Sequence, residues 1–183
     1  MSIFSILIIA IVIYVAIGLK TVHQNYQGLI ETFGKYKRTV DAGIVFVWPG
    51  FQTLRRVSLA LQPLSISKYS IITKDNAEIT TSLTLNYKVT DAYKYFYNNT
   101  DSEESMIQLV RGHLRDIIGR MDLNEALGST SQINAQLAQA IGDLNDVYGL
   151  QVIRVNIDEL LPSPEIQKAM DKQLTADREK TAA

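Results

Sequence analysis

The sequence predicts an α+β fold behind an N-terminal transmembrane helix, and three observations carry that prediction. The run from Ile3 to Leu19 is uncharged and apolar apart from Ser5. Between Ala77 and Val89 apolar and polar residues alternate with a period of two, the mark of a strand covered on one side and wet on the other. After Asp91 the apolar spacing changes to three and four, the mark of amphipathic helices. A β-rich first half followed by a mixed α and β second half argues α+β, and 183 residues suit one ordinary domain plus its ends.

The apolar run makes a helix of roughly 26 Å, slightly short of the ~30 Å hydrocarbon core but able to span it with the interface residues around it. Ile3, Ile11 and Leu19 mark the start, middle and end of this membrane anchor. A cleaved signal peptide is the competing reading, with Ala16-Ile17-Gly18 as its weak processing site. No Lys or Arg precedes the run and it is long for a signal, so retention is expected. Lys20, Lys35, Lys37 and Arg38 all follow it. That bias predicts a single pass of the cell membrane with the domain in the cytoplasm.

Behind the anchor, Tyr26 to Phe33 reads as a strand ending in a turn at Gly34-Lys35, and Gly43 to Trp48 as a short strand closed by Pro49-Gly50. Gln52 to Gln62 alternates imperfectly. The strand from Ala77 to Val89 puts Ile79, Thr81, Leu83, Leu85, Tyr87 and Val89 on its covered face. Asp91 to Tyr97 suits a short helix. Asp101, with Glu104 three residues on, caps a longer one whose stripe is Met106, Val110, Leu114, Ile117 and Met121. A helix from Ser131 carries Ile133, Leu137, Ile141 and Leu144 and is expected to end at Gly149. Leu150 to Ile157 is a strand, and Ser163-Pro164 starts a final helix.

Chemistry is hard to find in this chain. With no cysteine, disulfides, thiolate metal sites and a Cys nucleophile are excluded. His23 and His113 lie far apart, and no zinc, Walker A, dinucleotide or nucleophile-elbow pattern occurs. A net charge of -1 gives no reason to expect nucleic acid. Ser67-Lys68 would serve a membrane-bound hydrolase or protease, the alternative reading. Neighbours on a strand point to opposite faces, however, and cannot form a dyad. Asn98-Asn99-Thr100 fits a glycosylation sequon but reads more simply as a polar loop. Arg111 and Arg115 read as a solvated helix face. The polar cluster Thr73, Lys74, Asp75 and Asn76 reads as a turn between strands, because Asp and Asn bond nearby amides and tolerate left-handed φ. No catalytic, cofactor-binding or metal-binding residue is predicted. Phe46, Trp48 and Phe51 around Pro49-Gly50 are candidates for dipping into the headgroup layer; core packing is the competing reading.

Six segments in order carry a family resemblance: VHQNYQGLIETFGKY, AGIVFVWPGF, ITKDN, YKVTDAYKYFY, LRDIIGRMDLNEAL and YGLQVIRVNIDELLPSPEIQKAMDKQLTADREK. Together they resemble the stomatin and prohibitin group of the SPFH (band 7) superfamily, closest to bacterial slipin or paraslipin proteins. Asp41-Ala42-Gly43 departs from the family's usual Pro-Gly, and Tyr148 stands where Trp is common. The resemblance implies a membrane anchor over residues 1–20, an SPFH domain over 21–162 and the start of a C-terminal helix over 163–183. It implies a scaffold without catalytic residues or cofactor. Its partners would be the lipid bilayer, further copies of itself as a homo-oligomer, and membrane proteins such as membrane proteases, organised in membrane microdomains. Family members continue into a long charged helix that builds the assembly wall, whereas this chain stops soon after Arg178-Glu179-Lys180. Ile166, Met170 and Leu174 supply about one and a half heptads where a coiled coil needs three or four. Self-association without a longer helix is therefore expected to be weak.

Overall fold

A computed structural model of the chain describes residues 2–182, so the boundaries drawn at Met1 and Ala183 lie outside the described residues. The chain divides into two compact units. Unit 1 holds residues 1–61, 88–100 and 145–150; unit 2 holds 62–87, 101–144 and 151–183.

Unit 1 begins with helix α1, Ile3–Gly18, followed directly by β1, Leu19–Val22. Three strands follow: β2, Tyr26–Thr32, β3, Lys35–Val40, and β4, Gly43–Phe46. β5 is Gln52–Ser58. β1 pairs antiparallel with β4, setting Leu19 opposite Phe46. β2 is the centre of a three-stranded sheet in the order β3-β2-β5. The core side chains of unit 1 include Val22, Leu29, Ile30, Val47 and Val57. Neither β1 nor β3 is anticipated by pattern, because Lys20, Lys35, Lys37 and Arg38 break any apolar alternation.

Unit 2 opens with β6, Gln62–Ile72, paired antiparallel with β7, Glu78–Val89. The expected alternation holds on β7, where every second residue from Ile79 to Val89 is buried. Helix α2, Ala92–Tyr97, belongs to unit 1 and is capped by Asp91, whose carboxylate accepts the Lys94 N–H. Back in unit 2, α3, Ser102–Gly119, is capped by Asp101 through the Glu104 N–H. Its buried stripe is Met106, Val110, Leu114 and Ile118. Thus Ile118, four residues after Leu114, replaces the expected Ile117 in the core.

Helix α4, Leu123–Gly128, starts on a capping box of Asp122 and Glu125, and α5, Thr130–Ile141, buries Ile133, Leu137 and Ile141. A two-residue strand β8, Asp143–Leu144, precedes the single turn α6, Asn145–Tyr148. Gly149 therefore ends α6 rather than α5, and its φ of 65° suits the left-handed position after a helix. The long strand β9, Leu150–Pro162, completes the sheet order β6-β7-β9-β8. α7, Pro164–Ala182, has no buried residue, and its Ile166 N–H is capped by the Ser163 hydroxyl.

The transmembrane helix needs correction. α1 forms over the expected residues but has 16 of them, a length of about 24 Å. The apolar run is cut short because Leu19 is drawn into pairing with β4. No helix among the described residues is long and apolar enough to cross a membrane.

Candidate functional site

The foot of unit 1 is where apolar side chains stay in the open. α1 is exposed along its whole apolar length, and only Gly18 is buried. Gly18 lies under the Phe46 ring so closely that a Cβ there would meet Phe46 Cε2 at 2.3 Å. The Gly18 carbonyl accepts the Val47 N–H at 2.8 Å. One turn back, the Tyr14 hydroxyl donates to the Pro49 carbonyl at 3.2 Å. The last turn of α1 is thus clasped by the segment from Phe46 to Pro49.

That segment continues into a tight turn, with the Gln52 N–H bonded to the Trp48 carbonyl at 2.9 Å and Gly50 at φ 83°. The turn holds Trp48 and Phe51 outward, each 53% exposed. Phe46 is half-buried, with its ring edge-on to Trp48 at 5.2 Å. Phe33 joins them from the β2–β3 turn: its ring meets Phe51 at 5.7 Å and its N–H donates to the Phe51 carbonyl at 3.1 Å. Phe33 is 78% exposed and sits at φ 50°, left-handed backbone that a bulky side chain rarely adopts. Strain of this kind costs on the order of 1–3 kcal/mol and clusters at sites of use.

Phe46, Trp48 and Phe51, picked out from the sequence, therefore lie together. Phe33, Tyr14 and Gly18 escaped sequence reading. The one signal for Phe33 was its place beside Gly34 in a two-residue turn.

Above the foot, unit 1 holds a polar knot. Glu31 is 5% exposed and accepts from the Tyr97 hydroxyl at 2.7 Å, Arg55 Nε at 2.9 Å and the Thr53 hydroxyl at 3.4 Å. The Tyr97 bond, helped by Arg55 and opposed by burial, holds the Glu31 carboxyl below its usual range. Burial and the same carboxylate push the Tyr97 phenol up. Tyr36 and Tyr93 pack edge-on at 4.6 Å beside it, and the Arg55 guanidinium lies 5.1 Å over the Phe96 ring. With three donors on its carboxylate, the knot is built to hold α2 against β2 rather than to move protons.

In unit 2 the cluster from Thr73 to Asn76 is a turn. Asn76 has φ 62°, and the Thr73 hydroxyl donates to Asp75 at 2.5 Å. That hydroxyl, ahead of the Leu123 amide, keeps the exposed Asp75 carboxyl low. Asp75 accepts the Leu123 N–H at 3.1 Å, so the turn also caps α4. Lys74 bonds through its backbone N–H to the Met121 carbonyl at 2.9 Å, while its side chain is exposed.

Ser67 and Lys68 fall where the β6–β7 register shifts between Ile66 and Tyr69, and Lys68 Nζ pairs with Glu159 at 2.8 Å. Arg111 is not a plain solvated residue: its guanidinium lies 5.2 Å over the Tyr69 ring. Burial pushes the Tyr69 phenol up to about 12. His113 lines a cleft of about 570 Å³ with Asp116, Arg120 and Glu125, but its imidazole has no hydrogen-bond partner among the described residues. No group of three or more metal-ligating side chains occurs among the described residues.

Comparison with known proteins adds the following. Residues 20–183 match the family described as SPFH domain / Band 7 family. The chain is 32% identical over 178 residues to an uncharacterized protein of Methanothermobacter thermautotrophicus, covering 97% of this chain and 56% of that one. It is 33% identical over 179 residues to an uncharacterized protein of Mycobacterium tuberculosis, covering 97% of this chain and 47% of the other. A stomatin homolog of Pyrococcus horikoshii is 29% identical over 178 residues, covering 97% and 67%. The chain spans about half the length of the first two of these relatives.

Proposed function

Because the chain belongs to the SPFH domain / Band 7 family, within the stomatin and prohibitin superfamily, we propose that it is a membrane-attached scaffold whose foot is embedded in the bilayer. The observation that carries this reading is the aromatic rim of Phe33, Phe46, Trp48 and Phe51 beside an exposed apolar helix. Aromatic side chains favour the membrane–water boundary, where one edge stays wet. An apolar helix of about 24 Å is shorter than the ~30 Å hydrocarbon core, and its last turn is clasped to unit 1. Helix and rim therefore enter from one side together. The flanking cations favour the cytoplasmic face, whose leaflet is anionic.

The scaffold works by associating with copies of itself and with membrane proteins, membrane proteases among them, and carries no chemistry of its own. Support for the last point is that Ser67 and Lys68 sit in a register shift, with Lys68 engaged by Glu159. α7, with Ile166 and Met170 half-buried and Leu174 open, is the element on which a neighbouring copy would build.

Trp48 is the only tryptophan, so its emission tests the foot directly. On adding the detergent-purified chain to vesicles, its emission moves to shorter wavelength and is quenched by brominated lipid. Unchanged emission with no quenching would refute embedding. The hydrolase reading stands or falls on turnover that Ser67→Ala abolishes.

A further inference from the structure

The two units carry opposite charge. Unit 1 has eight Lys and Arg against four Asp and Glu, and unit 2 has ten against fifteen. The apolar helix and aromatic rim thus belong to the unit that is net positive, in a chain that is net negative.

Within unit 1 the charges are not evenly used. Three of the four acids are already committed: Glu31 to Arg55 and Tyr97, Asp91 to the cap of α2, and Asp41 to the Gln27 amide at 3.2 Å. Arg56 is spent on the Thr21 carbonyl, at 3.0 and 3.1 Å. Lys20, Lys35, Lys37 and Arg38 are exposed, and none has an ion-pair partner among the described residues.

These four cations sit by the rim. Lys20 follows Leu19, which pairs with Phe46. Lys35 opens β3 two residues after Phe33, and Lys37 and Arg38 follow it along an edge strand. Lys35 pairs with Thr32 at the turn and Arg38 with Ile30, so at about 3.3 Å per residue Arg38 stands roughly 10 Å along the strand from the Phe33 end. The headgroup layer on each side of the hydrocarbon is roughly 5–8 Å deep. With Phe33 at the hydrocarbon boundary, Lys20 and Lys35 lie among the headgroups. Lys37 and Arg38 lie just above, within about one ~8 Å screening length of the phosphate plane.

We infer that Lys20 and the basic edge strand β3 recognise anionic phospholipid headgroups, so that the protein selects negatively charged membrane over zwitterionic membrane. The inference rests on the embedded foot proposed above and names the lipid class that foot takes. The competing role for such cations is to guard a sheet edge against pairing with another strand. Edge guarding alone does not account for the concentration of unpaired positive charge beside the rim.

The test uses the full chain and two kinds of vesicle, phosphatidylcholine alone and phosphatidylcholine mixed with phosphatidylglycerol, reading flotation and Trp48 emission together. The native chain floats with both and binds the anionic vesicles more tightly, with a preference that fades in high salt. Replacing Lys35, Lys37 and Arg38 together by Gln weakens binding to anionic vesicles by about a hundredfold, since each cation near a charged surface contributes roughly fivefold. Binding of that variant to neutral vesicles stays as it was. The charge-keeping pair Lys35→Arg and Lys37→Arg retains the preference and controls for folding. Lys168→Gln with Lys172→Gln, the same kind of change on α7, has no effect.

Equal affinity of the native chain for both vesicles overturns the inference and leaves the embedded foot standing. Equal loss on both vesicles in the Gln triple, or self-association of that triple with its lipid preference intact, also overturns it. Binding to neither vesicle by the native chain overturns both readings.

Discussion

Units 1 and 2 solve the same problem, burying a sheet, in opposite ways. Unit 2 lays α3 and α5 over its sheet and fills the space with Leu83, Leu85, Leu114, Ile118, Ile133 and Leu137, all fully buried. Unit 1 has two small sheets, keeps an ionised carboxylate in its interior and leaves its largest rings outside. A helix-on-sheet core is held by area removed from water, while unit 1 adds to its apolar core the directed bonds on Glu31. The unit that gives up apolar burial to the outside is the one expected to meet the bilayer.

The largest effect that can break this comparison is a cavity in unit 2. Leu114→Ala should cost about 2–5 kcal/mol, seen as faster amide exchange across α3, β6 and β7. If exchange in β2 and β5 rises equally, the two units do not open separately and the contrast drawn above is wrong.

In unit 1 the corresponding test is Tyr97→Phe, which removes a bond to a charged group worth about 1.5–3 kcal/mol. Acid acts on the same knot. Glu31 titrates lower in the fold than its ordinary 4.5, so its contribution is complete above that value. It disappears as pH falls through the depressed folded value. The melting temperature should therefore drop on acidification below about pH 4.5. In Glu31→Gln that portion of the pH dependence should vanish.

A smaller loss, about 1 kcal/mol or more, is expected for Asn76→Val, since a β-branched residue resists the left-handed backbone there. Urea titration measures it. Smaller still is Lys74→Ala, within about 0.5 kcal/mol, because only its backbone is engaged. Phe33→Asn sharpens the comparison from the other side. Asn accepts the left-handed turn, so melting should hold within about 0.5 kcal/mol while partition into vesicles weakens.

What could be read from the sequence follows the same division. β7, α3 and α5 announce themselves because their faces repeat over several turns or residues, and burial on one side forces that repeat. Asp91, Asp101 and Ser163 cap the helices they precede, since a cap is a local bond between near neighbours. β1, β3 and β6 escaped because edge and register-shifted strands need no clean alternation. α4 escaped because six residues are too few to show a stripe.

The span was overread for a related reason. Hydropathy sees Leu19 as one more apolar residue, whereas the fold uses it as the first of a strand. At the candidate site, Trp48 and Phe51 were legible by their place around Pro49-Gly50. Phe33 was not, because only the pairing of β2 with β5 brings positions 33 and 51 together.

The clasp at Gly18 has a mechanical side. A glycine at the end of a helix commonly makes a swivel, but this one is wedged against Phe46, with Tyr14 tied to Pro49 one turn earlier. Helix and foot therefore tilt as one body. With α1 embedded as proposed above, a bilayer that thins, thickens or bends would turn α1, and α1 would act as a lever arm, carrying that rotation into unit 1 with no slack in the joint. The residue that usually grants freedom here removes it, and in an embedded foot the angle of the membrane would become the angle of the foot.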